Sequence, residues 1–271
     1  MEKAVVTLEF YHMEIMEMLT RAGEVFVPSK SAGQNFSRKR DKPKLRTISI
    51  IIPAHNEEKY LRQTLDALNQ RNYPAYEIIV VANGCTDATE EAARGRCDRL
   101  IVLSQKSLGI ARNLGARMAN GEILLFLDAD TLLEPGALRT IADNFTRRYA
   151  AGTIRGKPDS PRFAYRLIYF MKNFTHFSGL HDGSAGVILC WKKHFMELGG
   201  FDEKMEMREN SELIRRLKRF GRYKYIRQTV ATTSMRRYER RGVWTMVWLW
   251  FRMWLQTPFK DFRDRKYETV R

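Results

Sequence analysis

From Thr47 onward the chain alternates short apolar runs with stretches of helical spacing. TISIIIPA (Thr47–Ala54) is a β-branched run, and residues from Glu57 to Gln70 repeat their apolar positions at helical intervals. EIIVVA (Glu77–Ala82) precedes a helical pattern at Asp87–Arg96. RLIVL (Arg99–Leu103) precedes one at Gly109–Ala119, and EILLFLDAD (Glu122–Asp130) one at Pro135–Arg148. Strands that are apolar without alternation are buried on both faces, and their alternation with helices makes βαβ units. The expected fold class is α/β, a mostly parallel sheet flanked by helices, with right-handed crossovers. Ligands of such sheets bind at the carboxyl ends of the strands. Three of those ends are polar: His55-Asn56-Glu57, Asn83-Gly84-Cys85-Thr86-Asp87 and Asp128-Ala129-Asp130. They are expected to converge on one crevice.

The second half is less regular. A helix is expected from Pro161 to about Phe177, then the Gly-rich turn SGLHDGSAG, a strand VILC, a helix near Lys192 and another from about Asn210 to Phe220. An amphipathic helix is expected around Leu8–Arg21. Pro28–Arg46 is polar, basic and rich in turn formers, and reads as a linker. The expected division is 1–46 as extension and linker, 47–238 as the main α/β domain, and 239–271 as an amphipathic helical tail.

Charge sharpens this division. The chain of 271 residues carries a formal net charge of +16. The excess is concentrated: seven basic against one acidic residue at 29–46, and eighteen against seven at 205–271. Such a bias calls for an anionic partner. Within the tail, VWTMVWLWFRMWL (Val243–Leu255) holds Trp244, Trp248, Trp250 and Trp254 and is broken by Arg252. It is too short to span a bilayer, and Trp with Arg favours the interface; a helix with its tryptophans packed on the main domain is the alternative. Cys85, Cys97 and Cys190 have no metal-ligand spacing, and the opening residues do not read as a signal peptide. The expected location is cytoplasmic, peripheral on the inner face of the cell membrane.

The two aspartates that end ILLFLDAD carry the chemistry. Acids at i and i+2 on a strand line one face; past a strand end, where the chain turns, they can flank a ligand. Asp130 can bind a hard divalent cation, Mn²⁺ or Mg²⁺, while Asp128 bonds a sugar hydroxyl or shares the metal. The structural alternatives are that Asp130 caps the helix after Pro135, or that both acids are solvated.

Five segments occur in order: IIIPAHNEEKYLRQTLDAL, IIVVANGCTDATEEAA, GIARNLGARMANGEILLFLDADT, GGFDE and RENSELIRRLKRFG. Together they resemble family 2 glycosyltransferases of the GT-A fold over about Thr47–Tyr238. The resemblance implies that Pro53, Ala54, Asn56 and Glu57 form the first nucleotide-binding turn, and that Asn83 with Gly84 meets the base. Many members have Asp-Asp or Asp-Asn before that glycine; here it is Ala82-Asn83. Arg112 and Asn113 match the residues that approach the nucleotide sugar, and Asp128 and Asp130 the metal and ribose-diphosphate motif. Arg236 and Arg237, in TSMRRYERRG, match arginines that close over the diphosphate. The donor implied is a UDP- or GDP-sugar. A surface role for Arg112, and a helix N-terminus at Asn56-Glu57, are the alternative readings.

An inverting transferase needs a carboxylate to accept the acceptor's proton. The family supplies it from Glu-Asp at the start of a late helix; this chain reads Glu209-Asn210, and an amide is no base. Glu209 is the favoured substitute, oriented by Glu212 on the same helix face. Glu206 and Asp182 are alternatives, as is a retaining or inactive protein that needs no base; Glu209 and Glu212 could also simply complement the helix dipole. HDGSAG (His181–Gly186) is expected beside the acceptor, with Asp182 bonding an acceptor hydroxyl. The expected acceptor is a lipid-linked molecule or a glycan at an anionic membrane, with no role for nucleic acid. The rival readings are a sugar-phosphate nucleotidyltransferase and a degenerate relative acting as a membrane-docked binding module.

Overall fold

The computed structural model describes residues 45–69, 73–179, 186–205, 208–246 and 248, and the backbone of 26–28. The expected helix at Leu8–Arg21, most of the linker, His181, Asp182, Glu206 and the tail beyond Trp248 lie outside the described residues.

The first half follows the hydrophobic pattern. Strand β1 (Phe26–Pro28) is followed by β2 (Ile48–Ala54), helix α1 (Glu58–Asn69), β3 (Tyr76–Asn83), α2 (Thr89–Ala93), β4 (Arg99–Leu103), α3 (Leu108–Met118) and β5 (Ile123–Leu127). Strands β4, β3, β2 and β5 are mutually parallel neighbours. Every residue of β2 and β5 is buried, as expected for strands covered on both faces. One apolar layer holds Ile50, Ile52, Leu61, Leu65 and Val80; the other holds Ile51, Val81, Leu114 and Phe126. Gly115 lets α3 lie flat on the sheet, because a β-carbon there would come within 2.5 Å of the Ile51 side chain.

The second half makes the sheet mixed. Strand β6 (Thr131–Leu133) and α4 (Ala137–Asn144) lead into β7 (Tyr149–Pro158) and α5 (Phe163–Ser178). Then come β8 (Val187–Trp191), α6 (Lys192–Glu197), α7 (Glu209–Leu217), β9 (Arg222–Thr233) and α8 (Arg236–Arg241). Among the described residues the sheet order is β1-β4-β3-β2-β5-β8-β7-β9-β6. Strand β8 runs antiparallel to both β5 and β7, while β9 lies parallel to β7 and antiparallel to β6. The expected second-half elements are present too: α5, β8, α6 and α7 lie where the pattern places them. Long strands β7 and β9 run where the pattern predicts no element.

Candidate active site

Strand β5 ends at Leu127, so Asp128 and Asp130 both lie past the strand, on a turn closed by Thr131 N–H donating to Asp128 O (3.0 Å). Backbone bonds pin this turn from three sides. Asp128 N–H donates to Gly186 O (3.0 Å), Ser234 N–H to Asp130 O (3.2 Å), and the Thr64 hydroxyl to Ala129 O (2.8 Å). A turn so held aims its two carboxylates apart.

Asp128 turns toward α3. Arg112, 4% exposed, brings Nη2 to 3.4 Å from Asp128 Oδ1, and Nη1 to 3.0 Å from Glu209 Oε1 and 2.9 Å from Asn210 Oδ1. Its guanidinium also lies over the Phe201 ring at 5.0 Å. One buried arginine thus ties the aspartate turn to the first residues of α7. Arg112 is no surface residue, and Glu209 is nearly buried.

Asp130 turns the opposite way. Arg236 Nη2 lies 3.2 Å from its Oδ2, and the same nitrogen donates to Glu57 Oε1. Arg236 stacks on the Tyr60 ring at 4.4 Å. Pairing of β9 with β6 delivers this arginine: Thr233 sits opposite Thr131, and Ser234 and Arg236 follow directly. Asp130 caps no helix, since α4 begins behind Gly136 in a left-handed conformation.

Glu57, Asp128, Asp130 and Glu209 therefore face Arg112 and Arg236, with a weaker pull on Asp130 from Arg237. Negative charge is in excess. Burial, and then the charge of Asp128, push the Asp130 carboxyl up to about 6 against the pull of Arg236. Glu57 Oε2 is buried with no hydrogen-bond partner. Hard oxygen donors, an under-neutralised acid and an orphaned acceptor fit a divalent cation that takes its remaining ligands from phosphate. Among the described residues no three acids or histidines cluster to hold a metal by themselves.

A stability consequence follows for the metal-free protein. The folded-state pKa of Asp130 lies above the unfolded value, so stability falls as pH rises from about 4 through about 6 and stays lowered beyond. Asp130→Asn removes that cost. In EDTA at pH 8 the variant should be more stable than wild type by about 2–3 kcal/mol, at 1.36 kcal/mol per pKa unit. The gain should vanish near pH 4 in urea unfolding. An equal difference at both pH values would show that Asp130 is not held at a cost.

The site lies within a recognisable sequence family. A family model described as glycosyl transferase family 2 matches residues 49–245. This chain belongs to glycosyl transferase family 2. Among curated relatives, 4,4'-diaponeurosporenoate glycosyltransferase of Staphylococcus haemolyticus is 31% identical over 156 residues, 55% of this chain and 39% of its own length. Glycosyltransferase GlyA of Streptococcus pneumoniae is 33% identical over 99 residues, 35% of this chain and 14% of its own. The chain thus spans well under half of the curated relatives it matches. Two solved structures share the fold at 20% identity. One is the mannosyltransferase PcManGT from Pyrobaculum calidifontis in complex with GDP-Man and Mn²⁺, with TM-score 0.58, covering 74% of this chain and 60% of that one. The other is S. aureus TarS 1-349 in complex with UDP-GlcNAc, with TM-score 0.56, covering 70% and 59%.

Several expectations for this family 2 chain change once hydrogen bonds are counted. Asn113 is expected at the nucleotide sugar, yet its amide is spent on the 200–203 turn. Its Nδ2 donates to Phe201 O (3.0 Å) and Glu203 Oε1 (2.9 Å), and its Oδ1 accepts from Phe201 N (2.8 Å). A β-carbon on Gly200 would collide with that amide. Asn83 is 3% exposed, and its Oδ1 accepts from Ser107 N (2.7 Å), the cap of α3. Asn56 is no helix cap. It takes φ 54, a left-handed conformation Asn tolerates, and its amide bridges to Thr86, whose N–H donates to Oδ1 at 2.8 Å. Pro53 and Ala54 end β2 inside the core and offer only backbone. His55 Nδ1 meets Asn83 O at 2.7 Å, so the first two strand ends do adjoin. Glu212 does not orient Glu209; it pairs with Arg216 at 2.6 and 2.7 Å, and Arg216 also donates to Leu198 O and Gly200 O. The bridge from Arg236 to Glu57, and the Asn210 oxygen on Arg112, have no sequence signal beyond the motifs themselves.

Proposed function

We propose that this chain transfers a sugar from a nucleoside-diphosphate sugar to a lipid-linked or glycan acceptor at the cytoplasmic membrane face, with inversion and with a divalent cation. The observation that carries this reading is the pair of acids past β5, each aimed at a different arginine from a different part of the chain. Breaking the sugar–phosphate bond leaves negative charge on a diphosphate, and preorganised positive groups stabilise it as it forms. Arg236 and Arg237 sit on the Asp130 side, where such a group would rest. Asp130, with Asp128, would hold Mn²⁺ or Mg²⁺, which neutralises a departing diphosphate. The complexes of PcManGT with GDP-Man and Mn²⁺ and of TarS with UDP-GlcNAc support the donor class.

Glu209 is the base of this reading. Arg112 grips its Oε1 and fixes the side chain near Asp128, leaving Oε2 to receive the acceptor's proton. No helix of the described residues is long and apolar enough to cross a membrane. The membrane face rests on the basic C-terminal region and on exposed Trp244 and Trp248. The second reading, a relative that binds donor without transfer, is favoured by Asn210 alone.

One assay separates the two. With Mn²⁺ and a panel of UDP- and GDP-sugars, the wild type should hydrolyse at least one donor, and Asp130→Ala should lose about 100-fold or more of that rate, the scale seen when one charge-stabilising group is removed. Thermal stabilisation by a donor without turnover would establish the binding module instead.

A further inference from the structure

Helix α5 has two apolar faces. Tyr165, Tyr169 and His176 are buried, the tyrosines against Met235, Tyr238 and Met246. The other face carries Phe163, Leu167, Phe170, Phe174 and Phe177. Their alternating intervals of four and three residues set them in one stripe roughly 80° wide at about 100° per residue. All five are exposed: Phe163 by 79%, Phe170 by 65%, and the least exposed, Leu167, by 49%. Trp244 and Trp248, one helical turn apart, are exposed as well, and Met246 between them packs with the buried face of α5. An exposed apolar stripe of this kind marks a partner.

Charge says which partner. No Asp or Glu occurs between Ser160 and Gly179, while Arg162 and Arg166 border the stripe. Arg227 stacks on Phe177 at 4.9 Å, joining the basic β9 to the aromatic row. Arg240 is exposed on α8, the helix whose Tyr238 packs with α5. Aromatic residues rimmed by arginines suit the headgroup layer of an anionic bilayer. We propose that the outer face of α5, together with Trp244 and Trp248, docks the enzyme on such a bilayer.

The helix is built to transmit that orientation. Asn173 locks it to β7 through both amide atoms, accepting from Gly156 N (3.1 Å) and donating to Gly156 O (2.8 Å). On its inner face the Tyr169 hydroxyl bonds the Thr233 side chain and feels the charge of Asp130. Docking by the outer face would hold α5, and with it the aspartate turn behind its inner face, in one orientation to the bilayer. Only this orientation rests on the proposed sugar transfer; the docking itself is measured without donor or acceptor.

The test uses the full chain and vesicles of phosphatidylcholine, alone or mixed with phosphatidylglycerol. Wild type should co-sediment with the mixed vesicles. The variant with Phe170→Ser and Phe174→Ser should lose about tenfold or more in partition while keeping its melting temperature and nucleotide affinity. Arg162→Glu with Arg166→Glu should lose binding to the mixed vesicles specifically. Unchanged partition of the serine variant would overturn the proposal. So would a serine variant that alters only self-association, which would make the stripe a protein contact. Lipid binding gained only when the chain is cut after Trp248 would also overturn it, by showing that the tail covers the stripe. A chain that docks but binds no nucleotide would leave docking intact and sink the transferase reading.

Discussion

Replacing Glu209 with glutamine should lower sugar transfer by about 10²–10⁴-fold, the contribution expected of a positioned general base. The amide keeps the shape and still accepts from Arg112 Nη1, which lies 3.0 Å from Oε1 in the wild type. Donor affinity should therefore be unchanged by calorimetry while turnover collapses. Glu209 is nearly buried and opens α7, so it also suits the helix dipole. A purely structural Glu209 would lose stability on substitution and retain its rate. Wild-type turnover in Glu209→Gln would transfer the role of base to another carboxylate.

Arg112→Ala should destabilise the fold by about 3–5 kcal/mol, the cost of leaving a buried carboxylate without its partner. Arg112 is 4% exposed on its side chain and Glu209 11%, so water cannot make good the loss. Arg112→Lys should recover only part of it, because an ammonium cannot span Asp128, Glu209 and Asn210 as a planar fork does. Urea unfolding of the single variants and of Arg112→Ala with Glu209→Ala gives the coupling. The double variant should be more stable than additive losses imply, by about 1–3 kcal/mol. Strict additivity would mean that the two residues do not act as a pair.

These variants probe contacts that the sequence reveals unequally. Strands β2, β3, β4 and β5 were legible because burial on both faces leaves continuous apolar runs. Strand β9, RYKYIRQTVATT, alternates charge with partly buried residues, and its register slips between Ile154 and Arg155 of β7. Strand β7 contains Gly152 and Gly156, so neither strand carries a clean period. The acids at Asp128 and Asp130 were legible from position and motif. Arg236 lies 179 residues from Glu57, and only the antiparallel pairing of β6 with β9 brings them together. Asn113 and Asn83 stand at motif positions, yet their amides hold the 200–203 turn and the start of α3; such commitments are set by tertiary packing. The spacing of Glu212 and Arg216 does encode their pair, as an i, i+4 contact; the intervals between the aromatics of α5 encode one shared face, and only the tertiary structure shows that this face is exposed.

In the proposed reaction the acids past β5 gather a cation and a nucleoside diphosphate against Arg236 and Arg237. Crystals grown with Mn²⁺ and either UDP or GDP test it directly. An anomalous manganese peak coordinated by Asp130, with the diphosphate bound to the same ion, is the expected result. Nucleotide bound elsewhere, or bound in the crevice with Asp130 still paired only to Arg236 and no manganese beside it, would contradict it.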